Sequence, residues 1–238
     1  MDFIITKIIA SIFTPDLIIG NTSSLVRFIQ DISNNKFGGD LTSFPLPQEA
    51  PQEIPRLIMK SSDGAWVLEI SVERTNIIFS KPLNLSIQEP SIHEFAAYAL
   101  GVYKSYKTHK DIRVQRIALM TERVFKVVDK LPSQYIADKF CKDEYLVKPF
   151  NNTKSFEIHS LKKYKYRDFD VNSWVRIMPA NLLDDDKTPV VLVKNDINTY
   201  SNFEAPEVNF SPIDIDRFFN EMPDHLESIV SLYFDPRR

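Results

Sequence analysis

Glycine is scarce in this 238-residue chain: there are five, and the only adjacent pair is Gly38-Gly39. Loops that cradle phosphates need clustered glycines, so no Walker loop is present, and no serine nucleophile elbow occurs either. A single cysteine, Cys141, excludes an internal disulfide and a cysteine-rich zinc site. It also suits a reducing, cytoplasmic setting. No apolar run approaches the roughly 20 residues of a membrane span. The apolar N-terminus, MDFIITKIIASIF, lacks the features of a secretory leader: Asp2 stands where a basic residue belongs, Lys7 interrupts the apolar run, and Thr14-Pro15-Asp16 is a poor cleavage site. Its β-branched residues predict a strand instead. The four histidines, His93, His109, His159 and His225, form none of the H-x-H, H-x-x-x-H or H-E-x-x-H spacings of a metalloprotease-type site. The sequence therefore assigns no catalytic residue, no metal and no cofactor.

What remains is an ordinary globular composition, 43% hydrophobic and 26% charged, long enough for one large domain or two small ones. The formal net charge of −3 hides a segregation. Residues 1–101 sum to −4, residues 102–176 to +8 and residues 177–238 to −7.

The most informative stretch is Ile54–Lys81, IPRLIMKSSDGAWVLEISVERTNIIFSK. Ser62-Asp63-Gly64 predicts a type I′ hairpin turn. Beyond it Trp66, Leu68, Ile70 and Val72 alternate with Val67, Glu69, Ser71 and Glu73, the period of a half-buried antiparallel strand. Three successive strands are expected here. Before them come the N-terminal strand, a short helix over 23–33 and a proline-marked loop over 34–55. After them, Ser91 and Glu94 form a capping box that opens a helix with Phe95, Ala96, Ala99, Tyr103 and Tyr106 on its apolar stripe. Gly101 lies inside that helix, where close packing on a strand would explain it.

The order then begins again. Ile112–Val128 reads as a strand with a break near Thr121-Glu122, and a helix starts at Pro132. Strands follow over 155–166, 172–179 and 189–200, and then a helix from Ser211-Pro212, which Pro223 should kink or restart. The prediction is an α+β fold of two similar β-α-β-β-β-α halves, residues 1–109 and 110–238. Each half is an antiparallel sheet with helices packed on one face, and the two form a pseudo-repeat within what could be one compact unit.

The residues Pro55-Arg56, Ser62-Asp63-Gly64 and Arg74, with the amphipathic C-terminal helix bearing His225 and Phe234, resemble a sporadically distributed, uncharacterised bacterial family known only by a family number. The chain departs from it at Phe79, where a tryptophan is expected. The resemblance implies a two-lobed α+β fold and supplies no catalytic residue. It suggests an accessory role in a defence or stress locus.

The run Lys162-Lys163-Tyr164-Lys165-Tyr166-Arg167 is the most tempting binding signal, because cations can track phosphates while rings stack on bases. In a strand, Lys163, Lys165 and Arg167 would share one face, with Tyr164 and Tyr166 on the other. Arg113 and Arg116 belong to the same basic segment and complete the candidate binding set. The bland alternative, inward tyrosines and solvated lysines, is favoured by the acidic isoelectric point, about 5.9. His159 beside Glu157 could be an acid–base pair, but a solvated sheet face produces the same spacing. Asp184-Asp185-Asp186 reads as a solvated turn. The preferred reading is a non-enzymatic binding or interaction protein with a protein partner or self-association, ahead of nucleic acid, and with no membrane. The alternative is an enzyme acting on a small molecule or nucleic acid in a groove between the halves.

Overall fold

Ten residues rich in isoleucine, Ile4–Phe13, form strand β1 near the middle of a single antiparallel sheet. The structure is a computed structural model that describes residues 2–15, 17, 22–47, 49–81, 87–110, 112–146, 153–182, 188–200 and 207–234. Helix α1 (Thr22–Ile32) follows, then strands β2 (Leu41–Ser43), β3 (Leu57–Lys60), β4 (Trp66–Ile70) and β5 (Arg74–Ser80), and helix α2 (Ile92–Lys110). The second run comprises β6 (Arg116–Lys126), α3 (Pro132–Phe140), β7 (Ile158–Tyr166), β8 (Phe169–Asn181), β9 (Pro189–Thr199) and α4 (Pro212–Phe234). The sheet order is β2-β3-β4-β5-β1-β6-β9-β8-β7. Outward from the central β1–β6 ladder, β5, β4 and β3 lie on one side and β9, β8 and β7 on the other. The sheet is continuous across the 109/110 boundary, and α2 also packs on α4.

The helix-covered face is set by side-chain alternation. Ile8, Ala10 and Ile12 of β1 share it with Leu68 and Phe79 on one side and with Ile117, Leu119 and Ile197 on the other, all buried. Tyr103 of α2 is fully buried against this face. Its hydroxyl donates to the Ala10 carbonyl (2.6 Å) and accepts from the Ile77 amide (3.1 Å), which ties the helix to β1 and β5. Trp66 stacks on Phe95 of α2 (ring centroids 5.4 Å apart), so β4 turns its apolar side to the helix as its alternation predicts.

Several local expectations are corrected. Gly64 alone of the turn residues has positive φ (+70°), and its amide bonds the Ser61 carbonyl. The hairpin is therefore a type I turn closed by a left-handed glycine, with the Asp63 carboxylate accepting from Ser61 Oγ and the Ala65 amide. The Ser61 bond, the largest influence, holds the Asp63 carboxyl below its ordinary range. Val72 falls outside β4 and is half-buried between strands. Strand β2 interrupts the predicted loop. Strand β6 passes unbroken through Thr121-Glu122, because its nine-pair ladder to β9 outweighs the weak β-propensity of glutamate. Helix α4 continues through Pro223, since buried Phe219, Met222 and Leu226 hold the turns on both sides of the lost hydrogen bond. Gly101 sits on the exposed side of α2, and a Cβ there would meet nothing within 4 Å, so close packing is not its explanation.

Candidate functional site

The four α-helices of the described residues lie on one face of the sheet, and side chains on the other, helix-free face follow the same strand registers. Four cross-strand rows run over that helix-free face. The first runs from Lys165 and Asp170 on β7–β8 to Arg116, Phe13 and Arg74. The second holds Lys163, Asn172, Asn198, Ala118, Ser11, Asn76 and Glu69. The third is mostly apolar: Leu161, Trp174, Asp196, Met120, Ile9, Ile78 and Val67. The fourth holds His159, Arg176, Lys194, Glu122, Lys7 and Ser80. Lys60 and Lys126 project from the same face at other positions. Cations on this face thus outnumber the carboxylates Glu69, Glu122, Asp170 and Asp196 by roughly two to one.

Hydrogen bonds knit the second row together. Ser11 donates to Asn76 Oδ1 (2.8 Å), and Asn76 donates to Glu69 (3.2 Å). Asn172 donates to Asn198 Oδ1 (3.2 Å), which also accepts from Arg116 (2.6 Å). The Arg116 guanidinium lies over the Phe13 ring (4.8 Å), and the Arg176 guanidinium lies over the Trp174 ring (5.0 Å). Burial raises the Asp196 carboxyl above its ordinary value, while the Asn198 amide and the Arg116 and Arg176 charges pull it back.

The six-residue run of the sequence analysis splits between directions. Lys163 and Lys165 project from the helix-free face, Lys163 near the Tyr200 ring (5.6 Å). Lys162, Tyr164 and Tyr166 point to the helix side, with Lys162 5.8 Å from the Tyr233 ring. Arg167 does not join Lys163 and Lys165. Strand β7 ends at Tyr166, Arg167 adopts a left-handed φ of 50°, and its guanidinium pairs with Glu221 of α4 (2.8 Å). The next residue, Asp168, pairs with Arg217 of the same helix, so two rungs one turn apart clamp the β7–β8 turn to α4. Arg116 reaches the helix-free face, whereas half-buried Arg113 lies in the connection that leads into β6. Lysines on β7 have a structural use as well. This is an exposed edge strand of nine residues, and charged side chains discourage edge-to-edge pairing.

On the helix side the basic and acidic segments neutralise each other. Lys104 pairs with Asp216 (2.9 Å), Arg123 with Glu227 (2.7 Å) and Arg167 with Glu221. Lys107 bonds the Ile112 carbonyl and Asn209. Lys163 and Lys165 of β7 therefore lie on the opposite side of the sheet from the α2 lysines, while Lys162, on the helix side, lies near the Tyr233 ring of α4.

The histidines are placed individually. His93 pairs with Asp224 and His159 with Glu157, all four being well exposed, and His109 stacks on Phe28. His225 stacks on Tyr166 (centroids 3.7 Å apart), and its Nε2 accepts from the Tyr164 hydroxyl (2.7 Å). With the proton on Nδ1, Ser228 Oγ can accept at 3.3 Å while donating to the His225 carbonyl. Burial holds this imidazole below its ordinary pKa and raises the Tyr164 hydroxyl. The folded state therefore disfavours protonated His225. Stability should be flat above the unfolded value near 6.5 and decline as pH falls through it towards the depressed folded value. Thermal melts from about pH 8 to 5 will show this decline, and it should be shallower in His225→Phe. Identical pH profiles for the two proteins would contradict the assignment.

Cys141 is half-buried just beyond α3. Asp184-Asp185-Asp186 lies outside the described residues. Among the described residues no three His, Cys, Asp or Glu side chains gather as a cation site. A cavity of about 150 Å³ at the end of the sheet is lined by Asp168, Phe169, Asp170, Thr199, Tyr200, Val208 and Phe210, smaller than the usual range for a small-molecule pocket. No described helix is long and apolar enough to cross a membrane. No protein-family model matches the chain, and no curated protein matches it.

Proposed function

We propose that this protein is a non-catalytic binding protein, that its ligand surface is the helix-free face of the sheet, and that the ligand is anionic. One observation carries the reading: acidic residues of α4 engage cations on the helix side, while the opposite face keeps a cation excess that no described helix covers. Local charge, not the net −3, is what an approaching ligand meets. Apart from the additional three-residue strand β2, the β-α-β-β-β-α order recurs on the two sides of the β1–β6 ladder, and both α2 and α4 open with a capping box, Ser91 with Glu94 and Ser211 with Asp214. This supports residues 1–109 and 110–238 as a structural pseudo-repeat. The resemblance to the uncharacterised bacterial family suggests an accessory, cytoplasmic role in a defence or stress locus.

Retention on an immobilised polyanion tests the surface. The wild type should be retained in low salt. Replacing Lys126, Lys165 and Arg176 by Glu should abolish retention, and the control Lys130→Glu/Lys142→Glu, on the α3 side, should not. Equal elution of the two variants, or no retention of the wild type, would sink the reading.

A further inference from the structure

Among the side chains described on the helix-free face, the large apolar ones that are well exposed are Leu161 (43%) and Ile4 (37%), both at its margins. Docking of a folded protein calls for a contiguous exposed apolar patch, and here the central aliphatic row, Met120, Ile9, Ile78 and Val67, is half-buried or buried. What the face offers outward is cationic. A guanidinium lies over each of two rings, Arg176 on Trp174 and Arg116 on Phe13. The two stacks stand on β8 and β1, three strand spacings or roughly 14 Å apart across the sheet, and are offset by four residues, roughly 13 Å, along the strands.

We infer that this face binds single-stranded nucleic acid, with bases stacking on the two ring–guanidinium platforms and phosphates meeting the surrounding cations. The inference rests on the anionic-ligand reading above and adds the ligand's class. Base stacking on aromatic rings and on arginine planes is sequence-tolerant and needs unpaired bases, whereas a duplex presents only its backbone charge to a sheet. The asparagines between the platforms are buried and already bonded to one another, so little readout of base edges is expected.

Fluorescence anisotropy can separate the alternatives. Labelled oligo(dT) and oligo(rU) of about 20 nucleotides, a DNA duplex and a polyglutamate peptide of matched charge are titrated at about 50 mM salt. The single strands should bind more tightly than the duplex or the peptide, with an affinity that falls steeply as salt rises. Trp174→Ala should weaken single-strand binding by roughly 5- to 150-fold, the loss of one stacked base, while retention on the polyanion column persists. Arg176→Ala, at an exposed position, should weaken it too without threatening the fold. Peptide binding without oligonucleotide binding would overturn this inference and leave the anionic-ligand reading of the surface standing. Binding of none of the probes would overturn both. Unchanged oligonucleotide affinity in both variants would overturn the platform assignment.

Discussion

Trp66→Ala should cost about 3–5 kcal/mol of stability, the largest loss expected from any single truncation described here. The indole is the meeting point of β4, β5 and α2. It stacks on Phe95 and meets Phe79 (5.5 Å) and Tyr98 (5.1 Å) edge-on, and the Lys36 ammonium sits 4.6 Å above the ring. Alanine would remove the shared partner of three aromatic contacts and leave a cavity that the sheet backbone cannot collapse to fill. Phe79 is its direct cross-strand neighbour, so the two truncations should not be additive. Chemical denaturation of the two proteins measures the difference. A loss below about 1 kcal/mol, typical of a surface position, would show that the faces of β4 are assigned wrongly.

Glu227→Ala should destabilise by on the order of 3 kcal/mol, at the low end for breaking a buried pair because Glu227 itself is half-exposed. The cost arises at its partner. Arg123 is only 5% exposed at its side chain, and its Nε and Nη2 find no hydrogen-bond acceptor among the described residues. Without Glu227 the guanidinium would be a buried charge with no counter-ion, in a layer that also holds fully buried Thr121 and Asn195. Replacing both partners by apolar residues, Arg123→Met with Glu227→Leu, should restore most of the loss, since neither charge then needs solvation. A double variant as unstable as Glu227→Ala would show that the pair's attraction, not the stranded charge, dominates. Equilibrium unfolding of the three variants at one pH decides between them.

Local chemistry made most of the elements readable. Alternation in β4 pointed Trp66, Leu68 and Ile70 inward, the Ser91/Glu94 box announced α2, and turn residues separated the three strands of each run. These signals act over a few residues, so they survive without knowledge of the rest of the chain. The departures came where a distant partner outweighed local preference. Strand β6 stays whole through Thr121-Glu122 because β1 and β9 pair with it on both sides. Helix α4 stays whole through Pro223 because the sheet holds both of its flanking turns. The turn at Arg167 bends away from Lys163 and Lys165 because Glu221, more than fifty positions later in the chain, captures its guanidinium.

The site divides in the same way. Composition and order alone determined that the chain forms the strands and helices of an α+β fold, and that its charges are segregated along the sequence. They did not determine which cations face a ligand. A strand's side chains alternate between faces, but which face the helices cover depends on contacts between residues far apart, such as Tyr103 with Ala10 and Arg123 with Glu227. Only the assembled sheet brings Arg116 over Phe13, Arg176 over Trp174 and Lys126, Lys163 and Lys165 onto one face that no described helix covers. It does so because register, set by pairing along the whole sheet, decides the side to which each charge points.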